Sequence, residues 1–332
     1  MVDKSLFIIT SPFQALCVKE AIKHFEIANY SIVIITTTND NRIEQTKNTL
    51  SYLDLKFECH IAGASSFNEI RRIGKLILHD NKYSTVFVGD CCDIWLVSLA
   101  LFVIQLNGKL MYIDDGASTI SFLDGTINNA FYRGKRKILT LLGLIITFHK
   151  PIFFTIFNIE PRGIYKKVHN ELSVFKDDTK NESNGLYIIG TNIDAYCKEY
   201  NLSNSEYISS FKSIIDDLLA TNHEECFYIE HGRCKNNEVR EICQIKSINI
   251  IRPNVPIEFY FIQNNLEPKV IIGFDTTALF TLKALFNRCA CKNIQLKKTS
   301  NKNHPFQEAY KDKLYEIGIP TYTLYINNDK RF

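Results

Sequence analysis

Four short groupings in this 332-residue chain hold side chains able to do acid–base or anion chemistry. Asp114 and Asp115 stand side by side before Gly116, and a carboxylate placed against a hydroxyl can act as a general base. His231 lies in Glu230-His231-Gly232-Arg233. There an imidazole can protonate or hydrogen-bond a phosphate oxygen near neutral pH, with Glu230 holding its tautomer and Arg233 pairing with phosphate. Glu258, in Pro256-Ile257-Glu258-Phe259, can accept two hydrogen bonds from a ribose diol. Gly273-Phe274-Asp275-Thr276-Thr277-Ala278 combines a glycine, two hydroxyls and a helix start, the parts of an anion cradle. Each grouping also has a plain structural reading: a solvated turn, a turn-capping histidine, a first-turn glutamate on the helix dipole, an N-cap.

The elements around them decide how these residues are presented. Lys109 to Ile113 is apolar enough for a buried strand ending at the aspartates. Ahead of it, Ser5–Thr10, Ser31–Thr37, Leu55–Ile61 and Ser84–Val88 read as strands. Phe13–Phe25, Asn39–Tyr52, Phe67–Leu78 and Ile94–Gln105 read as the helices between them. Such alternation predicts βαβ units and a mostly parallel sheet. The second half repeats the rhythm. Its strands are expected at Leu186–Gly190, Glu225–Ile229, Ser247–Ile251, Val270–Gly273, Asn293–Leu296 and Thr321–Tyr325. Its helices are expected at Ser205–Ala220, from Glu258, at Thr276–Phe286 and at Pro305–Ile317. Residues 176–185 (KDDTKNESNG) are polar and aperiodic, and are read as a linker. The expected domains are therefore 1–175 and 186–332, each with ligand groups at the C-terminal strand ends.

Composition removes several classes. At 45% hydrophobic and 23% charged residues the chain is a folded globular protein, and its net charge of +3 is too mild for a nucleic-acid partner. Ten cysteines include no Cys-x-x-Cys pair, so zinc ligation and a disulfide framework are not expected. Asp90 and Asp93 flank Cys91-Cys92 without a histidine, a poor cation site. There is no Walker A sequence and no Gly-x-Gly-x-x-Gly. Leu6-Phe7-Ile8-Ile9 reads as a first strand rather than a signal peptide, which predicts a cytoplasmic protein with reduced thiols.

Residues 138–157 (ILTLLGLIITFHKPIFFTIF) follow the basic Arg133, Lys135, Arg136 and Lys137. His149, Lys150 and Pro151 interrupt the run, so a bilayer span is not expected. Two readings stand: a buried helix plus a strand, or a peripheral contact of 133–157 with the cytoplasmic face of the inner membrane.

In order along the chain, these pieces resemble the bacterial sialyltransferases of the lipooligosaccharide-sialyltransferase and polysialyltransferase group (glycosyltransferase family 52-like). That group carries an acidic pair with glycine, then a histidine motif, then a serine/threonine motif. The matching residues are Asp114-Asp115-Gly116, His231 and Thr276-Thr277. Thr10-Ser11-Pro12-Phe13-Gln14 is similar to the group's opening strand-to-helix loop, with Ser11, Gln14 and Gly116 on the acceptor side. Pro256-Ile257-Glu258 is similar to the segment that meets the nucleotide sugar. The group's usual proline after the histidine is here Gly232; a literal His-Pro at His304-Pro305 follows the threonines and is set aside.

The resemblance implies a GT-B fold, two Rossmann-like domains facing each other across a cleft. It implies an inverting transfer from CMP-sialic acid to a galactose-terminated lipopolysaccharide, O-antigen or capsule glycan, free or lipid-linked, with an α2,3 linkage favoured. Asp115, or Asp114, would be the base and His231 the leaving-group residue. Glu258, Thr276, Thr277, Gly273, Glu230 and Arg233 would hold the donor, with no cofactor and no metal required. The adjacent carboxylates would raise one another's pKa. Other readings are a polysialyltransferase, a GT-B enzyme using CMP-Kdo or a UDP- or GDP-sugar, and a non-catalytic partner in polysaccharide assembly.

Overall fold

The computed structural model describes residues 3–36, 41–62, 67–78, 82–123, 146, 148–161, 163, 165–176, 181–221, 224–232, 236–298 and 305–326. The chain divides into two compact units. One is Met1–Phe175 with the short return Asn254–Pro256, and the other is Lys176–Pro253 with Ile257–Phe332.

The first unit runs β1 (Ser5–Ile9), α1 (Pro12–His24), β2 (Tyr30–Thr36), α2 (Asn41–Tyr52), β3 (Glu58–Ile61), α3 (Phe67–Leu78) and β4 (Tyr83–Val88). It continues through α4 (Ile94–Val103), β5 (Ile104–Ile113), α5 (Ala117–Leu123), β6 (Ile152–Thr155) and β7 (Lys166–His169). Its sheet order is β3-β2-β1-β4-β5-β6-β7, and every pairing is parallel. A parallel sheet covered on both faces needs continuous apolar strands. β1 (SLFII) is accordingly buried at all five positions, with Phe7 stacked on Phe87 of β4 at 4.3 Å. The chain reverses direction across the sheet between β1 and β4, which places the topological switch point at their C-terminal ends.

The second unit runs β8 (Asn181–Ile189), α6 (Ile193–Tyr200), α7 (Asn204–Thr221), β9 (Cys226–Ile229), α8 (Asn237–Ile245) and β10 (Asn249–Ile251). It ends with α9 (Ile257–Gln263), β11 (Leu266–Gly273), α10 (Ala278–Leu285), β12 (Ala290–Lys298), α11 (Pro305–Glu316) and β13 (Thr321–Ile326). The order β10-β9-β8-β11-β12-β13 repeats the same winding, with the switch point between β8 and β11. Its core joins Phe211, Phe274, Tyr207, Leu296 and Ile215.

Two boundaries differ from the sequence expectation, and of the two readings of 138–157 the structure bears out the strand. β8 starts at Asn181, inside the expected linker 176–185, because Leu266, Glu267 and Pro268 of β11 sit in register with Asn181, Glu182 and Ser183. Ladder partners can hold polar residues extended, and composition does not see partners. β5 starts at Ile104, where a helix through Gln105 was expected, since Ile104 pairs with Tyr83. Finally, Ile152–Thr155 of the apolar 138–157 run is an inner strand paired on both sides, with Phe153 and Phe154 buried. That stretch belongs to the protein core, not to a membrane surface. Residues 133–145 lie outside the described residues. No helix among the described residues is long and apolar enough to cross a membrane.

Candidate active site

At the end of β5 the two aspartates part company. Successive residues of an extended chain point to opposite sides, so neighbours in sequence enter different surroundings. Asp114 turns towards β6: Thr155 Oγ1 donates to its Oδ1 at 2.5 Å and Ile156 N to its Oδ2 at 2.8 Å. It is wholly buried, and burial, only partly offset by those two donors, pushes its pKa up to about 7. Both of its oxygens are engaged.

Asp115 turns towards β1 and α1, and its side chain is 16% exposed. Gln14 Nε2 donates to its Oδ1 at 2.5 Å, Ser11 Oγ at 3.4 Å, and Arg42 Nη2 lies 3.5 Å from the same oxygen. Oδ2 carries no hydrogen bond among the described residues. Burial raises this pKa to about 7 as well, and the charge adding most to that rise is Asp90 at the end of β4, with Arg42 and the two donors opposing it. The charge that raises Asp115 most is thus Asp90, across the strand order, while the expected coupling of the adjacent pair is seen at Asp114, whose rise Asp115 adds to. Behind the pair, Gly116 takes φ +68°, a left-handed turn that glycine enters without strain. The carbonyl of Gly116 accepts from Thr119 N at 3.1 Å, starting α5, and the Thr119 hydroxyl accepts from Asp115 N at 2.9 Å.

Ser11 and Gln14 form a capping box on α1, with Pro12 in its first turn. The signature Ser-x-x-Gln ahead of an apolar run was readable as such a box. Asp90 Oδ1 accepts from Cys92 N at 2.8 Å, while Asp93 caps α4 through Trp95 N and Leu96 N. The Asp-x-x-Asp pair thus has local backbone duties. Among the described residues no group of three or more His, Cys, Asp or Glu is arranged to hold a metal ion, and the nine described cysteines form no disulfide with one another.

In the second unit His231 and Gly232 follow β9, one strand from the switch point. Glu230 does not serve the imidazole as expected. Its Oε1 binds Arg240, and its Oε2 takes Arg240 Nη2 at 3.1 Å and Arg252 Nε at 2.6 Å. Arg240, on α8, meets the carboxylate with two charged donors, and Arg252, after β10, with one. Sequence reasoning missed both arginines; neither lies in a motif. Arg233 lies outside the described residues.

β11 ends at Gly273, where an added Cβ would stand 2.6 Å from Thr276 Cγ2 and 3.1 Å from Leu279, so a side chain there would force the Thr276 methyl to shift. Phe274 is fully buried against Tyr207 and Phe211. Asp275 takes φ +45° and is held by Tyr200 OH, by Asn293 Nδ2 at 2.6 Å and by its own N–H to Asn293 Oδ1 at 2.8 Å. Thr277 stands at the N-cap of α10 with no side-chain cap bond, and Thr276 Oγ1 accepts from Ala278 N at 3.4 Å. The Thr277 hydroxyl and the backbone N–H groups of Thr276 and Thr277 have no partner among the described residues. Glu258, on the first turn of α9, is 5% exposed and accepts from Thr281 Oγ1 of α10, with its pKa raised by burial. One of its oxygens therefore ties two helices together.

No family model matches this sequence, and no curated protein matches it. Solved structures do. A protein described as a UDP-N-acetylglucosamine 2-epimerase from Listeria monocytogenes is 14% identical with a TM-score of 0.56, over 89% of this chain and 79% of its own. UGT73P12 of Glycyrrhiza uralensis, solved with glycyrrhetinic acid 3-O-monoglucuronide, is 12% identical with a TM-score of 0.53, over 99% of this chain and 84% of its own. The fold is GT-B.

Likeness at such identities is likeness of fold, and a fold hosts more than one reaction. In this GT-B chain the chemistry-bearing residues sit where open α/β sheets bind ligands, at strand ends at or beside the switch points. Ser11, Gln14, Asp90 and Asp115 gather in the first unit. His231 and the Thr276-Thr277 loop occupy strand ends of the second.

Proposed function

We propose that this protein is an inverting glycosyltransferase that moves sialic acid from CMP-sialic acid to a galactose-terminated lipopolysaccharide, O-antigen or capsule glycan, forming an α2,3 linkage. The observation that carries the transferase reading is Asp115: a carboxylate with one oxygen anchored and the other open, titrating at about 7, at a strand end of a GT-B unit. A base poised near the working pH gives the best product of correct ionisation and proton-transfer drive. The choice of CMP-sialic acid rests on the order Asp-Asp-Gly, His, Thr-Thr along the chain.

In this reading Asp115 Oδ2 takes the proton of the acceptor hydroxyl as its oxygen attacks the anomeric carbon. The bond from that carbon to the CMP phosphate oxygen breaks, and the electron pair leaves with CMP. His231 hydrogen-bonds or protonates the departing phosphate, and the Thr276-Thr277 amides and hydroxyls share its charge. Glu258 offers the ribose the oxygen that Thr281 does not hold. Asp114 holds the strand end in place rather than moving a proton. No metal is invoked, since protein donors meet the phosphate charge. Peripheral membrane contact is proposed for 133–151 and not for Ile152–Thr155, which is a core strand.

The deciding experiment offers CMP-sialic acid with a panel of galactosyl and sialyl acceptors, follows CMP release, and reads the product linkage by NMR. Sialylated galactose with inverted anomeric configuration is expected. Extension of sialyl acceptors alone would make the enzyme a polymerase. Turnover of CMP-Kdo, UDP- or GDP-sugars with none of CMP-sialic acid would overturn the donor assignment.

A further inference from the structure

Gln14 has no role in the chemistry above, yet it is fully buried and uses its whole amide. Its Oε1 accepts from Thr10 N at 2.7 Å and Ser11 N at 3.2 Å, and its Nε2 donates to Gly89 O at 2.8 Å and Asp115 Oδ1 at 2.5 Å. One side chain thereby joins the ends of β1, β4 and β5. The two backbone donors compel the oxygen to face them, so the amide has one permitted orientation and the NH2 must face the carboxylate. Gly89 leaves the space: a Cβ there would lie 2.2 Å from Gln14 Oε1.

We infer that Gln14 is a positioning residue that selects which oxygen of Asp115 takes the proton, by occupying Oδ1 and leaving Oδ2 open. The inference rests on Asp115 being the base. An amide is needed, not merely a polar residue of that length. In Gln14→Glu, one oxygen still accepts from Thr10 and Ser11, but the other meets the Gly89 carbonyl and the Asp115 carboxylate as an acceptor. The remaining charged and titratable groups around Asp115 are Asp90 and Cys91 after β4, Arg42 on α2 and the adjacent Asp114. All are unchanged in that variant.

The test is a 13C titration of the Asp115 carboxyl, assigned by its loss in Asp115→Asn, in the wild type and Gln14→Glu, beside the pH profile of kcat/KM. Exchanging a donor for an acceptor raises a carboxyl pKa. Asp115 is expected to titrate at least one pH unit higher in Gln14→Glu, with the acidic limb of kcat/KM moving by the same amount and kcat falling tenfold or more. The double variant Gln14→Glu with Asp115→Asn restores a donor–acceptor pair, and should recover the melting temperature without recovering turnover. An unmoved Asp115 titration in folded Gln14→Glu overturns the inference. If Gln14→Glu does not fold, the double variant decides: failure to recover folding also overturns it. Full transfer by Asp115→Asn would instead remove the catalytic reading and leave the titration result standing.

Discussion

Thr155 Oγ1 lies 2.5 Å from Asp114 Oδ1, and with Ile156 N on the other oxygen it closes Asp114 into the sheet. That contact separates two residues that look equivalent in the sequence. Asp114 is a buried brace between β5 and β6, and Asp115 keeps one oxygen without a hydrogen bond among the described residues.

The two asparagine variants should accordingly behave differently. Asp115→Asn is expected to lower kcat by a factor on the order of 10²–10⁴, the usual worth of a general base, with little change in melting temperature. Asp114→Asn should keep more activity and lose more stability. Equal rates for the two in single-turnover assays would contradict this division.

Stability should depend on pH through Asp114. Its pKa rises from about 3.9 in the unfolded chain to about 7 when folded. The folded state therefore binds more protons between those values. The contribution is fully present below the unfolded pKa and is lost as pH rises through about 7. At about 1.4 kcal/mol per unit this is worth on the order of 4 kcal/mol at most. The melting temperature should fall between about pH 4 and 7, less steeply in Asp114→Asn, where the remaining slope belongs to Asp115 and to the other carboxyls whose pKa burial raises, Glu20, Asp90, Glu258 and Asp275. Parallel curves in calorimetry would refute the assignment.

Thr277→Val removes a hydroxyl that no described residue uses, so the fold should scarcely notice. Affinity for CMP should fall by roughly fivefold to tenfold, the worth of about one hydrogen bond. Gly273→Ala should instead destabilise, since its Cβ meets Thr276 and Leu279. Titration calorimetry beside thermal melts distinguishes the two behaviours.

Breaking the Glu230 pairs should cost folding before it costs chemistry. Glu230→Ala removes the carboxylate from Arg240, whose side chain is 18% exposed and keeps its bond to Asn237 Oδ1 at 3.4 Å, whereas Arg252, at 58%, can turn to solvent. A loss of about 3 kcal/mol is expected when one partner of a largely buried pair goes, against under about 1 kcal/mol for Arg252→Ala. Urea titrations of both variants give the comparison.

Much of this was legible before any coordinates. Strand–helix alternation fixed two parallel sheets because their strands must be apolar along their length, as Ser5–Ile9 and Val270–Gly273 are. The Asp-Asp-Gly turn and the Gly-Phe-Asp-Thr-Thr turn were local, so their spacing alone announced them, whereas Ser11 and Gln14 entered only through a resemblance and their capping box went unread. What sequence could not decide was partnership. Only the sheet order brings Thr155 to Asp114, Gln14 and Asp90 to Asp115, and Arg252 to Glu230, because each pair is far apart or unpatterned along the chain and meets at neighbouring strand ends. The sequence by itself determined which residues stand at those ends. The tertiary structure decided which of the adjacent aspartates is closed off by donors and which keeps an oxygen open, since hydrogen-bond partners come from other strands.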